Sequence, residues 1–163
     1  ALAVREVHPA ELLADVALMH EGIAHQQEIA MDVDPGDATP VHCDPRKVKQ
    51  VLMNLLQNAL DATPRGGRVT LRTEHGDEGR ARILVEDTGP GLADDVCERL
   101  FTPGATTKAD GAGLGLTIAR AIAEQHGGTL TLADRDGGGC RAVLELPKRP
   151  PEANDDEAPE ETA

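Results

Sequence analysis

Asp44-Pro45-Arg46-Lys47-Val48-Lys49-Gln50-Val51-Leu52-Met53-Asn54-Leu55-Leu56-Gln57-Asn58-Ala59-Leu60-Asp61-Ala62-Thr63 reads as one long amphipathic helix. Asp44 has the chemistry of an N-cap, and Pro45 suits the first helical position because it has no N–H to leave unpaired. Val48, Val51, Leu52, Leu55, Leu56, Ala59 and Leu60 recur at helical spacing and form a broad buried face. Opposite runs a narrow stripe of Lys47, Gln50, Asn54, Asn58 and Asp61. A stripe that only met water would favour Lys, Glu or Arg, whereas Asn is a poor helix former because its side chain competes for backbone hydrogen bonds. Asn54 and Asn58 lie one turn apart and present amide oxygens to one place, which is the ligand chemistry a hard cation such as Mg²⁺ takes alongside water and phosphate. A plain polar face is the competing reading of the helix by itself.

Around this helix the chain alternates strands and helices. Arg5 to His8 is a short edge strand, and Pro9 opens a helix expected to bury Leu12, Leu13, Val16, Ala17, Met19 and Ile23. Glu28 to Val33 and Val41 to Cys43 read as strands on either side of a turn containing Pro35 and Gly36. Arg68 to Glu74 alternates, Ala81 to Glu86 is a mostly apolar strand, and a short helical stretch runs to Leu100. Leu114 to His126 is a helix with Leu116, Ile118, Ala119, Ile122 and Ala123 turned inward, closed by Gly127-Gly128. Thr129 to Asp134 and Arg141 to Leu146 are the last strands, joined through Gly137-Gly138-Gly139. The order predicts an α/β sandwich: a mixed, mostly antiparallel sheet covered on one face by about three helices.

Composition sets the outer bounds. A chain of 163 residues is one domain by length, and with Phe101 as its single aromatic its core must be built from Leu, Val, Ile and Ala. The formal charge of −13 speaks against broad electrostatic binding to nucleic acid or anionic lipid. Six of those charges lie from Pro150 to Ala163, which has no basic residue and no sizeable apolar one, so residues 148–163 read as an acidic, proline-rich disordered tail to a domain at 1–147. No apolar run is long enough to span a membrane, and no signal peptide opens the chain. Cys43, Cys97 and Cys140 have no paired spacing for zinc or redox chemistry and read as free thiols of a reducing compartment. Ala1 begins in the middle of a pattern, as in a piece of a longer protein.

Two further motifs carry chemistry. Asp87-Thr88-Gly89-Pro90-Gly91 follows a buried strand. It is either a turn that uses Asp and Gly for conformation, or an acceptor carboxylate for an exocyclic amine such as adenine's, with glycines letting backbone approach a flat ring. Gly111-Ala112-Gly113-Leu114-Gly115-Leu116 opens a helix, where backbone N–H groups and the positive end of the helix dipole suit a phosphate, a flexible hinge being the alternative. Between them Phe101 to Lys108 is rich in hydroxyls and ends in a cation able to pair with phosphate.

In order and spacing, Asn54 to Ala59, Asp87 to Gly91, Phe101 to Lys108 and Gly111 to Leu116 resemble the N, G1, F and G2 boxes of the catalytic ATP-binding domain of bacterial sensor histidine kinases. That family shares the Bergerat fold with gyrase, Hsp90 and mismatch-repair ATPases. The short lid with Thr106-Thr107-Lys108, and Asn58-Ala59-Leu60-Asp61, look most like the nitrogen-regulation and oxygen-sensing type. The resemblance implies ATP and Mg²⁺ as cofactors, with Asn58 as metal ligand and Asn54 near the phosphates or metal. It implies Asp87 on the adenine amine, Gly89 and Gly91 at the base, and Gly111, Gly113 and Gly115 at the phosphates. A lid at about 101–112 would lie above them. The candidate nucleotide set is completed by Asp61, Thr106, Thr107, Lys108, Leu114 and Leu116, and the candidates for catalysis are Asn54, Asn58 and Lys108.

The implied activity is transfer of the ATP γ-phosphoryl group to a His on a dimerisation domain absent from this chain, with a response regulator downstream. A cytoplasmic location follows from the same resemblance. The ATPase relatives and the anti-sigma serine kinases place Glu where Asn54 stands, and Asn is no general base near neutral pH. Transfer is therefore favoured over hydrolysis, a non-catalytic regulatory module or a serine kinase being the alternatives. His20-Glu21 has no following Pro and lies inside the first helix, so it is not expected to be the acceptor. The chain departs from the family at Gly104, where an aromatic is common, and at Cys140 and Ala142, where Thr and Phe are common.

Overall fold

The computed structural model describes residues 1–89, 112–135 and 138–151. Its elements are β1 (Arg5–Val7), α1 (Pro9–Gln26), β2 (Ala30–Asp34), β3 (Val41–Cys43), α2 (Pro45–Ala62), β4 (Arg68–His75), a 3-10 turn (Asp77–Gly79), β5 (Ala81–Asp87), α3 (Ala112–Gln125), β6 (Thr129–Asp134) and β7 (Cys140–Leu146). β1 and β3 form a small antiparallel pair, and the main sheet has the order β2-β4-β5-β7-β6. Within it β2 runs parallel to β4, and the other pairs are antiparallel. This is the α/β sandwich expected from the sequence. The short stretch leading to Leu100, the region 101–111, Cys97 and the tail from 152 onward lie outside the described residues.

Strand alternation decides which face the helices cover. Val69 and Leu71 of β4, Ile83 and Val85 of β5, and Leu144 and Leu146 of β7 are buried together with Val48, Val51, Leu52, Leu55 and Leu56 of α2. α2 packs against both α1 and α3, so it is the middle helix of the layer. Asp44 caps it as anticipated, its Oδ1 accepting from the N–H groups of Arg46 at 3.2 Å and Lys47 at 3.4 Å.

Three local expectations are corrected. Met19 is 54% exposed and Ile23 is also exposed, because the buried stripe of α1 runs through Leu12, Leu13, Val16, Ala17, His20 and Ala24. His20 can occupy it because its Nδ1 is paired with the Val16 carbonyl at 2.8 Å, which satisfies the polar ring inside. Ile118 is likewise exposed, off the stripe of Leu116, Ala119, Ile122 and Ala123. Glu28 belongs to no strand: its φ is +56°, and it ends α1 in a Schellman motif with Ile29 N–H on the Ala24 carbonyl and Glu28 N–H on that of His25. β2 starts at Ala30, opposite Arg68.

Past β7 the chain stays on the domain to Pro151. Lys148 accepts from His42 N–H at 2.8 Å, and a Cβ on Gly127 would come within 2.7 Å of the Pro151 ring. Cys43 is buried, and burial, with the Asp44 charge beside it, pushes its thiol up to about 12. Such a thiol is inert near neutral pH.

The sheet face away from the helices is held by charge. Glu86 is 8% exposed and accepts from Arg72 Nε at 2.9 Å and Arg141 Nε at 3.0 Å, with Arg135 Nε at 3.7 Å. Burial raises the Glu86 pKa, but the hydrogen bonds and charges of Arg72 and Arg141 outweigh it, and its carboxyl stays below the ordinary value. A depressed carboxyl stabilises the fold above the unfolded pKa of about 4.3 and loses that stabilisation as pH falls through the folded value. Glu86→Gln is expected to cost about 2 kcal/mol at neutral pH, less than a fully buried pair because water reaches the arginines. Urea unfolding at neutral and acid pH checks this, since the difference from wild type must shrink on acidification.

Candidate functional site

Asp87 is the last residue of β5, paired with Val69, so its side chain falls on the helix side of the sheet, away from the neighbouring Glu86. It is 5% exposed. Its Oδ1 accepts two backbone N–H groups, from Gly89 at 2.8 Å and Cys140 at 3.3 Å. The first is an Asx-type turn that folds the chain back after the strand. The second comes from the start of β7, where Gly139 sits with φ +96° and its backbone lies directly on the Asp87 carbonyl. With Oδ1 held, Oδ2 has no hydrogen-bond partner among the described residues. Burial raises the Asp87 pKa more than the two N–H groups and the Arg135 charge lower it, so the carboxyl titrates above its ordinary value.

The segment after Asp87 is anchored on both sides. Thr88 exchanges bonds with Arg68, its N–H donating to the carbonyl at 3.1 Å and its Oγ1 accepting the N–H at 2.9 Å. Gly89 lies against the end of α2, where a Cβ would stand 2.5 Å from the Ala62 carbonyl oxygen. Further back along α2, Asn54 Nδ2 donates to the Gly115 carbonyl at 3.1 Å. The polar stripe of α2 therefore faces α3 as well as solvent. Asn54, Asn58 and Ala62 are successive i, i+4 positions, so α2 touches Gly115 at one point and Gly89 about 12 Å away, with Asn58 midway on the same face.

α3 begins at Ala112, so the backbone N–H groups of its first turn, including those of Gly113 and Leu114, have no partner within the helix. Leu116 is buried in the core. Asn54, Asn58, Asp87, Gly89 and Gly115 are thus brought along one side of α2. Asp61 is exposed, accepts from Gln57 Nε2 at 3.0 Å, and lines a hollow of about 270 Å³ with Gln27, Leu60, Thr63 and Arg65. Gly91, Thr106, Thr107, Lys108 and Gly111 lie outside the described residues. The sequence reading missed the clamp of Gly139 and Cys140 on Asp87. Its signal was the run Gly137-Gly138-Gly139, which reads as a turn until a neighbouring strand end is known to lie against it.

Among the described residues no group of three His, Cys, Asp or Glu could hold a metal, and no helix is long and apolar enough to cross a membrane. The arrangement offers a buried acceptor at one end, free helix N–H groups at the other, and an amide between them.

Comparison with known proteins agrees. Residues 43–150 match the family described as histidine kinase-, DNA gyrase B-, and HSP90-like ATPase. The sensor histidine kinase ZraS of Escherichia coli O157:H7 is 41% identical over 125 residues, 76% of this chain but 27% of its own length. The catalytic domain of histidine kinase ThkA, in a nucleotide-free form, superposes with a TM-score of 0.84 at 32% identity, covering 91% of this chain and 98% of that one. ThkA in complex with the response regulator protein TrrA superposes at 0.79 with 29% identity, covering 92% of this chain and 43% of that one.

Proposed function

We propose, since this chain belongs to the histidine kinase-, DNA gyrase B- and HSP90-like ATPase family as a catalytic ATP-binding domain of the sensor histidine kinase type, that it binds Mg·ATP along α2 and presents the γ-phosphate to a histidine on a dimerisation domain of the same protein. The observation that carries this reading is Asp87: a buried carboxylate with one oxygen clamped by two backbone N–H groups and the other turned to a donor still to come. The adenine amine is that donor. Gly89 and Gly91 would lie beside the ring, and the glycine-rich run from Gly111 through Leu116, with the N-terminus of α3, would meet the phosphates with N–H groups and dipole. Thr106, Thr107 and Lys108 would close over them, and Asp61 would stand at the rim.

Magnesium fits the donor set. Asn54 gives its Nδ2 to Gly115, so its Oδ1 is the remaining polar atom, and Asn58 is half-buried on the same face. Amide oxygens supplemented by phosphate and water are a hard-cation site of the kind Mg²⁺ accepts. When bound, the ion would neutralise phosphate charge. Asn58 would be its ligand, and Asn54 would hold α3 in place.

Asn54 has a second consequence. It ties two helices together and has no basic site with which to activate water, so phosphoryl transfer to a partner nucleophile is favoured over hydrolysis. His20 is not in a position to be the acceptor, because it is buried and bonded to Val16. The chain spans about a quarter of the length of ZraS, and the dimerisation domain and a downstream response regulator are the partners this reading requires.

The test combines calorimetric titration of ATP and ADP, with and without Mg²⁺, and phosphotransfer from radiolabelled ATP to the dimerisation domain supplied in trans. Binding without self-labelling, and labelling of the added domain, are the expected results. Asn58→Ala is expected to remove most of the Mg²⁺ dependence of the affinity, about tenfold, and leave metal-free ADP binding nearly unchanged. No binding at millimolar nucleotide would overturn the proposal.

A further inference from the structure

His126 is 1% exposed, yet it plays no part in the site described above. It is the C-cap of α3, in a Schellman motif with Gly127 N–H on the Glu124 carbonyl and Gly128 N–H on that of Ala123, both at 2.9 Å. Its ring is paired on both sides. Nε2 accepts the backbone N–H of Asp44 at 3.1 Å, and Nδ1 lies 2.9 Å from the Ile122 carbonyl oxygen. An N–H on one side and a carbonyl on the other leave a single arrangement: a neutral ring with its proton on Nδ1.

The Asp44 N–H is a buried helix-end donor that needs a partner. Of the other donors at this end of α2, Pro45 has none, and those of Arg46 and Lys47 go to the Asp44 carboxylate. The carboxylate's second oxygen accepts from Ala3 N–H at 2.9 Å, which fixes the cap from the far side. His126 therefore completes the end of α2 from another helix, 82 positions along the chain. Beside it Lys47 Nζ donates to Gln125 Oε1 at 3.2 Å across the exposed edge.

α2 and α3 are thus joined twice, by Asp44 with His126 at one end and by Asn54 with Gly115 at the other. The joints are ten residues apart on α2 and eleven on α3, about 15 Å and about 16 Å of helix. Both can be made together in one antiparallel register only. A slide that breaks the Asp44–His126 joint moves Gly115 along the Asn54–Asn58 face.

We infer that His126 is a positioning residue for nucleotide: by capping α2 from the end of α3, it sets the register that holds the phosphate-binding turn at Gly115 opposite Asn54 and Asn58. The inference rests on the ATP reading of that turn, but the joint can be tested without nucleotide.

Two uncharged replacements separate the ring's two bonds. Gln can place an oxygen where Nε2 lies and accept from Asp44, whereas Asn can imitate only Nδ1 and its bond to Ile122. His126→Asn is expected to weaken Mg·ATP binding about tenfold by calorimetry at a temperature where the chain is folded, with His126→Gln within about threefold of wild type. In nucleotide-free protein the side-chain amide resonance of Asn54, which reports the bond to Gly115, should move in His126→Asn and stay in His126→Gln. Leu130→Ala, a core truncation in β6, supplies a variant with comparable loss of melting temperature.

A merely structural His126 would lower stability in both variants and leave affinity and the Asn54 resonance as they are in Leu130→Ala; that outcome overturns the inference. Should wild type fail to bind nucleotide, the ATP reading fails, and the Asn54 resonance alone decides whether His126 sets the register.

Discussion

Asp87→Asn is expected to lose about a hundredfold in nucleotide affinity while the nucleotide-free chain melts at a higher temperature. The amide oxygen must take the place of Oδ1, because that position faces two N–H groups, those of Gly89 and Cys140. The NH₂ group then occupies the Oδ2 position and meets the adenine amine donor to donor. A charge-assisted bond is lost and a repulsive contact takes its place. Stability moves the other way. Burial holds the Asp87 pKa above its ordinary value, so the ionised form is disfavoured in the folded chain, and at neutral pH that is a cost to folding. The cost is present above the folded pKa and is relieved as pH falls through it. The stability gain of Asp87→Asn should therefore shrink as pH falls into the ordinary carboxylate range, where wild type also loses affinity because the proton, kept off Oδ1 by its two N–H donors, makes Oδ2 a donor facing the adenine amine. Calorimetry and thermal melts of both proteins across that range check all three expectations. An Asn variant that bound like wild type would remove Asp87 from the site.

The second large effect is expected at the clamp. Gly139→Ala should cost about 3–4 kcal/mol of stability, and weaken nucleotide at least about tenfold. Gly138→Ala should cost about 1–2 kcal/mol and leave affinity unchanged. Both glycines have positive φ, +107° at Gly138 and +96° at Gly139, so any side chain is strained at either. They differ in what a Cβ would meet. At Gly138 nothing lies within 4 Å, whereas at Gly139 the Cβ would fall on the Asp87 carbonyl oxygen, with Thr88 Cα at 3.0 Å. Relief of that collision requires the start of β7 to move off the end of β5, taking the Cys140 N–H away from Oδ1 of Asp87. Urea unfolding of the pair, followed by titration where both are folded, isolates the contact from the strain they share. Equal affinity in the two variants would mean that the clamp does not orient the carboxylate.

Cys140 illustrates how far sequence reading reaches. It departs from the family pattern in its side chain, but what this position supplies to Asp87 is its backbone N–H, which every residue except proline carries. His20 and Met19 show the opposite failure. An apolar label predicted Met19 inside and a polar one left His20 aside, yet helical period put His20 on the buried stripe once Val16 could satisfy its ring. Glu28 escaped because a left-handed helix end is usually announced by glycine, and here the two Schellman bonds hold a glutamate in that conformation.

By itself the amino-acid order determined α2 with its cap and its amide stripe, the alternation of β4, the turn after β5 and the glycine entry to α3. These are properties of a few neighbouring residues, read from period, capping and backbone freedom. Only the tertiary structure decided that Cys140 clamps Asp87, that Asn54 joins Gly115 and that His126 caps α2. Those bonds span 53, 61 and 82 positions. Their partners are a backbone N–H, a carbonyl and a helix-end donor, groups that almost every residue carries, so packing alone selects which of them meet.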